Sequence, residues 1–130
     1  MAFISTRADY AILLLRALAK REGFSSLRII AKEQHLPYRY MSRLAGDLKK
    51  GGYLVSREGV QGGYALAKKP ASIKIINVIE LLEGPLTPVR CTEAGKDCER
   101  SADCPMKPHW TTLHRKLHAV LNETTLASVL

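Results

Sequence analysis

No stretch of this chain stays apolar for long. The longest apolar run, Tyr10 to Leu15, is six residues and ends at Arg16, far short of the roughly 20 needed to cross a bilayer. The same interruption argues against a secretory leader at the N-terminus, so a cytosolic protein without membrane attachment is the expectation. A C-x2-C pair is missing, which disfavours a zinc ribbon. The cysteines number three, an odd count that offers no disulfide framework. Internal repeats and low-complexity tracts are also absent. Acidic charge is scarce in one half only: residues 1–70 hold 13 Lys and Arg against 5 Asp and Glu, while residues 71–130 hold 7 of each. The whole net charge of +8 therefore belongs to the first half, a bias that fits a polyanionic partner, nucleic acid before an anionic membrane.

What is present is ordinary for a folded domain. With 130 residues, 46% of them apolar and 25% charged, the chain can build a core without help and is not globally disordered. Ala8, Ala11, Ile12, Leu14, Leu15 and Leu18 recur at helical spacing over Thr6–Lys20, where Thr6 and Asp9 have the form of a capping box and Gly23 is the stop. A second helix starts at Ser25 or Ser26, turns Leu27, Ile30 and Ala31 inward and ends before Leu36-Pro37. A third opens with Pro37 in its first turn, runs through Tyr40, Met41 and Leu44 to Leu48, and stops at Gly51-Gly52. Two short helices meeting at His35-Leu36-Pro37 have the shape of a helix-turn-helix. Tyr53–Arg57 and Tyr64–Leu66 read as strands around turn residues 58–63, a β-hairpin placed where a wing would be. Ile73–Leu82 is a fourth helix, closed by Gly84-Pro85. Residues 85–105 are irregular, and Pro108 to about Leu121 is a last helix.

The second helix of a helix-turn-helix presents its N-terminal half to base edges. Here that half offers Tyr38, Arg39, Ser42 and Arg43, with Arg39 and Arg43 sharing a face. Arg28, Lys49 and Lys50 stand where phosphate contacts are expected. Arg57 and the Gly62-Gly63 turn would bring the wing to a minor groove, the glycines allowing a tight turn and a close approach.

Cys91, Cys98 and Cys104 follow a C-x6-C-x5-C spacing inside the irregular segment. Soft thiolates crowded into a polar loop point to a metal site, and the wide gaps favour an iron–sulfur cluster over a single ion. A cluster needs about four ligands, so one is missing from the cysteine set. On the last helix Trp110, Leu113, Leu117 and Val120 repeat at coiled-coil spacing, a seam suited to a partner helix. His114 and His118 lie four apart on the same helix and are kept outside the site.

These motifs resemble the IscR and NsrR type of bacterial winged-helix transcription regulators. The resemblance rests on Asp9-Tyr10-Ala11, on Leu27–Ala31 and on Leu36–Met41. It continues through Leu48–Gly52, Gly59–Leu66 and Val78–Gly84, and includes the three cysteines and the Trp110 helix. It implies a mainly α fold with a β-hairpin wing, in which residues 1–84 form the DNA-binding domain, 85–107 a cluster-binding loop and 108–130 a dimerisation helix and tail. It further implies a homodimer on a palindromic operator, a repressor or activator rather than an enzyme, with one 2Fe-2S or 4Fe-4S cluster per subunit controlling DNA affinity. By the same resemblance, the fourth ligand would be Asp9 of the partner subunit or, as an alternative, His109. The chain departs from the pattern in three places. Glu58 stands where many relatives carry a basic wing residue, Lys107 stands where some carry a ligand histidine, and one cysteine gap is a residue longer. Two other functions compete: a cluster-free sensor of thiol oxidation on the same fold, and an electron carrier, which would have no use for a basic winged helix-turn-helix.

Overall fold

The computed structural model describes residues 4–92 and 98–130; residues 93–97, in the irregular cysteine segment, lie outside the described residues. Among the described residues five α-helices and one hairpin follow in the order α1 (Thr6–Ala19), α2 (Leu27–Glu33), α3 (Tyr38–Lys50), β1 (Leu54–Arg57), β2 (Gly63–Leu66), α4 (Ile75–Glu83) and α5 (Lys107–Glu123). This is the mainly helical, winged architecture the sequence predicts.

α1 is the central post. It buries Ala8, Ala11, Leu14, Leu15, Ala17 and Leu18, and each fully buried leucine contributes about 1.5–3 kcal/mol of transfer free energy. α3 and α4 pack on it with Met41, Leu44 and Leu48 and with Val78, Ile79 and Leu82. The predicted Thr6–Asp9 capping box is replaced by a cap one residue earlier: Ser5 is the N-cap, and its hydroxyl accepts from the Ala8 N–H. Asp9 is thereby left free on the solvent side of the helix.

The helix-turn-helix corner closes by a Schellman turn. The Leu36 N–H donates to the Ala31 carbonyl and the His35 N–H to the Lys32 carbonyl, with His35 at φ +56° where glycine is usual. Pro37 then caps α3 from outside rather than opening it. The hairpin pairs Leu54 with Leu66 and Arg57 with Gly63 in antiparallel register. It is tied to the head of α2 by a reciprocal pair of hydrogen bonds, Ser25 N–H to Tyr64 carbonyl and Tyr64 N–H to Ser25 carbonyl.

The chain does not end with α5. Residues 124–130 return to the N-terminal half, where Leu126 is fully buried. Its N–H donates to the Ile73 carbonyl, and the Ile75 N–H donates to that of Thr124. Arg16 Nε holds the Val129 carbonyl at 2.8 Å. α5 is thus anchored at its C-terminal end through Leu117, Leu121 and this tail. None of its own residues is fully buried.

Candidate nucleic-acid interface and cysteine pocket

α3 sorts its residues by face. Met41, Leu44, Ala45 and Leu48 are buried; Tyr40 meets Tyr10 edge-on at 5.8 Å between ring centres. Tyr38, Arg39, Arg43, Lys49 and Lys50 are left exposed, with Ser42 half-buried among them. Asp47, the helix's acid, is paired with Arg7 at 2.5 Å, so its charge is offset beside the basic face. Lys49 Nζ donates to the Ser56 hydroxyl at 2.6 Å, joining the end of α3 to the wing.

Sequence reasoning assigns Arg57 to the minor groove. In the folded chain its guanidinium lies 4.4 Å over the Phe24 ring and donates to the Gln61 carbonyl at 3.1 Å. The arginine braces its own wing, because residue 57 pairs with Gly63 and is carried to the side where Phe24 leads into α2. Phe24 is the residue sequence reasoning missed; its place directly before the Ser25-Ser26 pair that opens α2, with Ser26 as the N-cap, was the available signal. The wing tip instead shows Glu58 and a fully exposed Val60. Gly62 and Gly63 have an internal reason to be glycine: a Cβ would stand 2.1 Å from the Arg57 carbonyl oxygen at Gly62 and 2.1 Å from that of Ser25 at Gly63, where φ is +138°.

The three cysteines line one open pocket of about 640 Å³, together with Val89, Arg90, Glu99, Arg100 and Trp110. Cys91 comes from a 3-10 turn, Arg90–Thr92. Cys104 lies just before α5, its carbonyl accepting from the Lys107 N–H at 3.3 Å. Cys91 and Cys104 are half-buried and Cys98 is exposed. Among the described residues no three metal-binding side chains close on a single ion. The donor chemistry, three soft thiols spaced around a pocket, suits a cluster better than one ion. Asp9 lies elsewhere in the same chain, in a groove with Ile12, Ile75, Ile79 and Leu121. His109 is exposed on the first turn of α5 and does not line the cysteine pocket.

The seam of α5 is open: Leu113 is 45% and Val120 62% exposed, with Trp110 and Leu117 half-buried. On its inner side the His114 and His118 rings stack at 4.2 Å, and His118 Nε2 contacts the Leu86 carbonyl at 2.6 Å. Burial holds the His114 pKa below its usual value, with the His118 charge adding to this and Glu80 opposing it.

The chain matches the Rrf2 family, described as "Iron-dependent Transcriptional regulator", over residues 4–130. The HTH-type transcriptional regulator CymR of Bacillus subtilis is 33% identical over 95% of this chain and 86% of its own length. The solved structure of CymR, "the Global Cysteine Regulator of B. subtilis", superposes with a TM-score of 0.82, covering 99% of this chain and 96% of that one. Protein rrf2 of Nitratidesulfovibrio vulgaris is 33% identical over 98% of this chain and 86% of its own. The structure of T. potens IscR is 30% identical with a TM-score of 0.77, covering 97% of this chain and 84% of that one. Among the described residues no helix is long and apolar enough to cross a membrane.

Proposed function

The chain belongs to the Rrf2 family of DNA-binding transcriptional regulators, and from that premise we propose that it is a homodimer on a palindromic operator whose affinity is set by an iron–sulfur cluster at Cys91, Cys98 and Cys104. The observation that carries this reading is that all three cysteines line one pocket with Trp110 of α5. α3 enters the major groove, where Arg39 and Arg43 take bases and Ser42 and Tyr38 flank them; Lys49 and Lys50 take phosphates. The Trp110–Leu113–Leu117–Val120 seam pairs with its copy in the partner subunit.

When bound, the cluster supplies redox and ligand-exchange chemistry at its sulfur ligands. The residues around it couple that chemistry to DNA. Cys91 follows α4 and Cys104 precedes α5, so their separation sets how α5 leaves the DNA-binding half. His118 holds the Leu86 carbonyl at the entry to this segment, and Leu126 holds the far end of α5. A change in thiol spacing is therefore passed on as a change in the relative placement of the two recognition helices. Half-sites lie about 34 Å apart, and the coupling equals the difference in cluster affinity between the two arrangements. Asp9 of the partner subunit, in preference to His109, would be the fourth residue to hold the cluster, and an oxygen ligand on α1 would tie the cluster's site to the DNA-binding half directly.

The test is iron and sulfide content with an absorbance spectrum of anaerobically purified protein, alongside operator affinity, before and after air or nitric oxide. Cys98→Ala should abolish the cluster, and Asp9→Ala should leave a labile one and lose the DNA response. A normal spectrum and response in Asp9→Ala, with both lost in His109→Ala, would reverse the ligand assignment. The exposure of Cys98 favours a second reading, in which thiol oxidation without a cluster is the switch. Iron-free protein whose DNA affinity follows a thiol oxidant and recovers with dithiothreitol would establish that reading instead.

A further inference from the structure

Between the head of α2, the first residue of α3 and the wing runs an open groove of about 250 Å³, lined by Ser26, Arg28, Tyr38, Gly59 and Gly62 among others. One wall is charged and the other is nearly bare. On the charged wall the Arg28 guanidinium lies 4.1 Å from the centre of the Tyr38 ring. Stacking fixes one face of the guanidinium and leaves its N–H edge free for an anion. The ion pairs among the described residues are Arg7–Asp47 and Arg21–Glu33, so no carboxylate competes for Arg28. On the bare wall Gly59 has nothing within 4 Å of where a Cβ would stand. Arg57, the other arginine at the wing, is occupied by Phe24 and the Gln61 carbonyl. The groove's cation is therefore Arg28.

The position of the groove identifies the anion. In duplex DNA a major groove and the adjacent minor groove are separated by one sugar–phosphate strand. With α3 in the first and the wing beside the second, that strand must pass between them, where this groove lies. We propose that the groove seats one DNA backbone phosphate, with Arg28 meeting its charge and Tyr38 acting as the positioning residue that orients the guanidinium. The proposal rests on the DNA-binding reading and adds to it a paired unit and a place on the duplex.

The experiment uses the full-length protein and a duplex that the wild type selects from a random library, with a random duplex as control. Affinities are measured against salt concentration for the wild type, Arg28→Ala, Tyr38→Phe and Tyr38→Leu. Both side chains are exposed, and circular dichroism confirms that each variant is folded. Arg28→Ala should lower the slope of log affinity on log salt by about 0.9 for each half-site contacted, weakening both duplexes by the same factor. Tyr38→Phe keeps the ring against the Arg28 guanidinium and should hold the wild-type salt slope and random-duplex affinity, so that loss of its hydroxyl shows only on the selected duplex. Tyr38→Leu should weaken binding about 2- to 5-fold per half-site with the slope unchanged. Neutral methylphosphonates placed one at a time should reveal one position per half-site that weakens the wild type and leaves Arg28→Ala indifferent. An unchanged slope in Arg28→Ala, a loss in that variant confined to the selected duplex, or a methylphosphonate scan without such a position would overturn the seat while leaving DNA binding intact. A wild type that selects no sequence would overturn the DNA-binding reading itself, and the seat with it.

Discussion

Replacing Leu126 with alanine tests whether the C-terminal tail is part of the domain's core. Leu126 is fully buried, four residues before Leu130, and belongs to a core otherwise built mainly from α1, α2, α3 and α4. Truncation of a buried leucine removes its transfer free energy and leaves a cavity, at a cost of about 2–5 kcal/mol. Unfolding entropy is about 2.1 cal/mol/K per residue. For the 130-residue chain each kcal/mol then moves Tm by roughly 4 °C, and the substitution should lower it by about 7–18 °C. The assay is a circular-dichroism melt at fixed protomer concentration, because the proposed dimer would add a concentration-dependent contribution. The midpoint in urea should fall with the slope unchanged. The backbone bonds from Leu126 to Ile73 and from Ile75 to Thr124 remain available to alanine, so packing alone is tested. A Tm drop under about 4 °C would show that the tail is not docked in solution and that α5 lacks its second anchor.

Other perturbations probe the remaining elements. Gly63→Ala forces a Cβ against the Ser25 carbonyl at a positive φ and should cost about 1–3 kcal/mol, with loss of specific DNA binding before loss of helix content; unaltered operator affinity would contradict the docking of the wing on α2. Arg57→Ala should weaken operator binding with no change in salt slope, since the guanidinium is spent on Phe24 and Gln61; a slope lower by about 0.9 would mean that it contacts a phosphate. Leu113→Asp with Leu117→Asp buries charge in the proposed seam and should give monomer, or unfolded chain if the dimer is obligate; a folded dimer by light scattering would place the interface elsewhere. His114 has a lowered pKa in the folded state, so the unfolded chain takes up its proton first. Its contribution is intact above about pH 6.5 and is lost progressively as pH falls from there through the folded value. His114→Phe keeps a ring against His118 and should flatten this acid side of the stability profile; an unchanged profile measured by urea titration at several pH values would refute the assignment.

Local pattern was enough for much of this protein. The spacing of Leu14, Leu15 and Leu18, the Met41–Leu44–Leu48 stripe and the glycines around the wing specify helices and a hairpin within a few residues, because each depends on near neighbours and on backbone sterics. The concentration of positive charge in residues 1–70 and the crowding of cysteines in residues 91–104 are properties of the chain before it folds. Tertiary structure decided where side chains are spent. Arg28 and Arg57 look equivalent in the sequence, yet one is stacked on Tyr38 at an open groove and the other is folded over Phe24 onto its own wing. Asp9 reads as part of a cap, but Ser5 takes that task. Leu126 reads as a terminal residue and is core. His118, four residues from His114, serves the Leu86 carbonyl 32 positions away in the chain. Each of these depends on contacts between segments distant in sequence, and the periodicity of a segment fixes which of its faces is buried without fixing what that face meets.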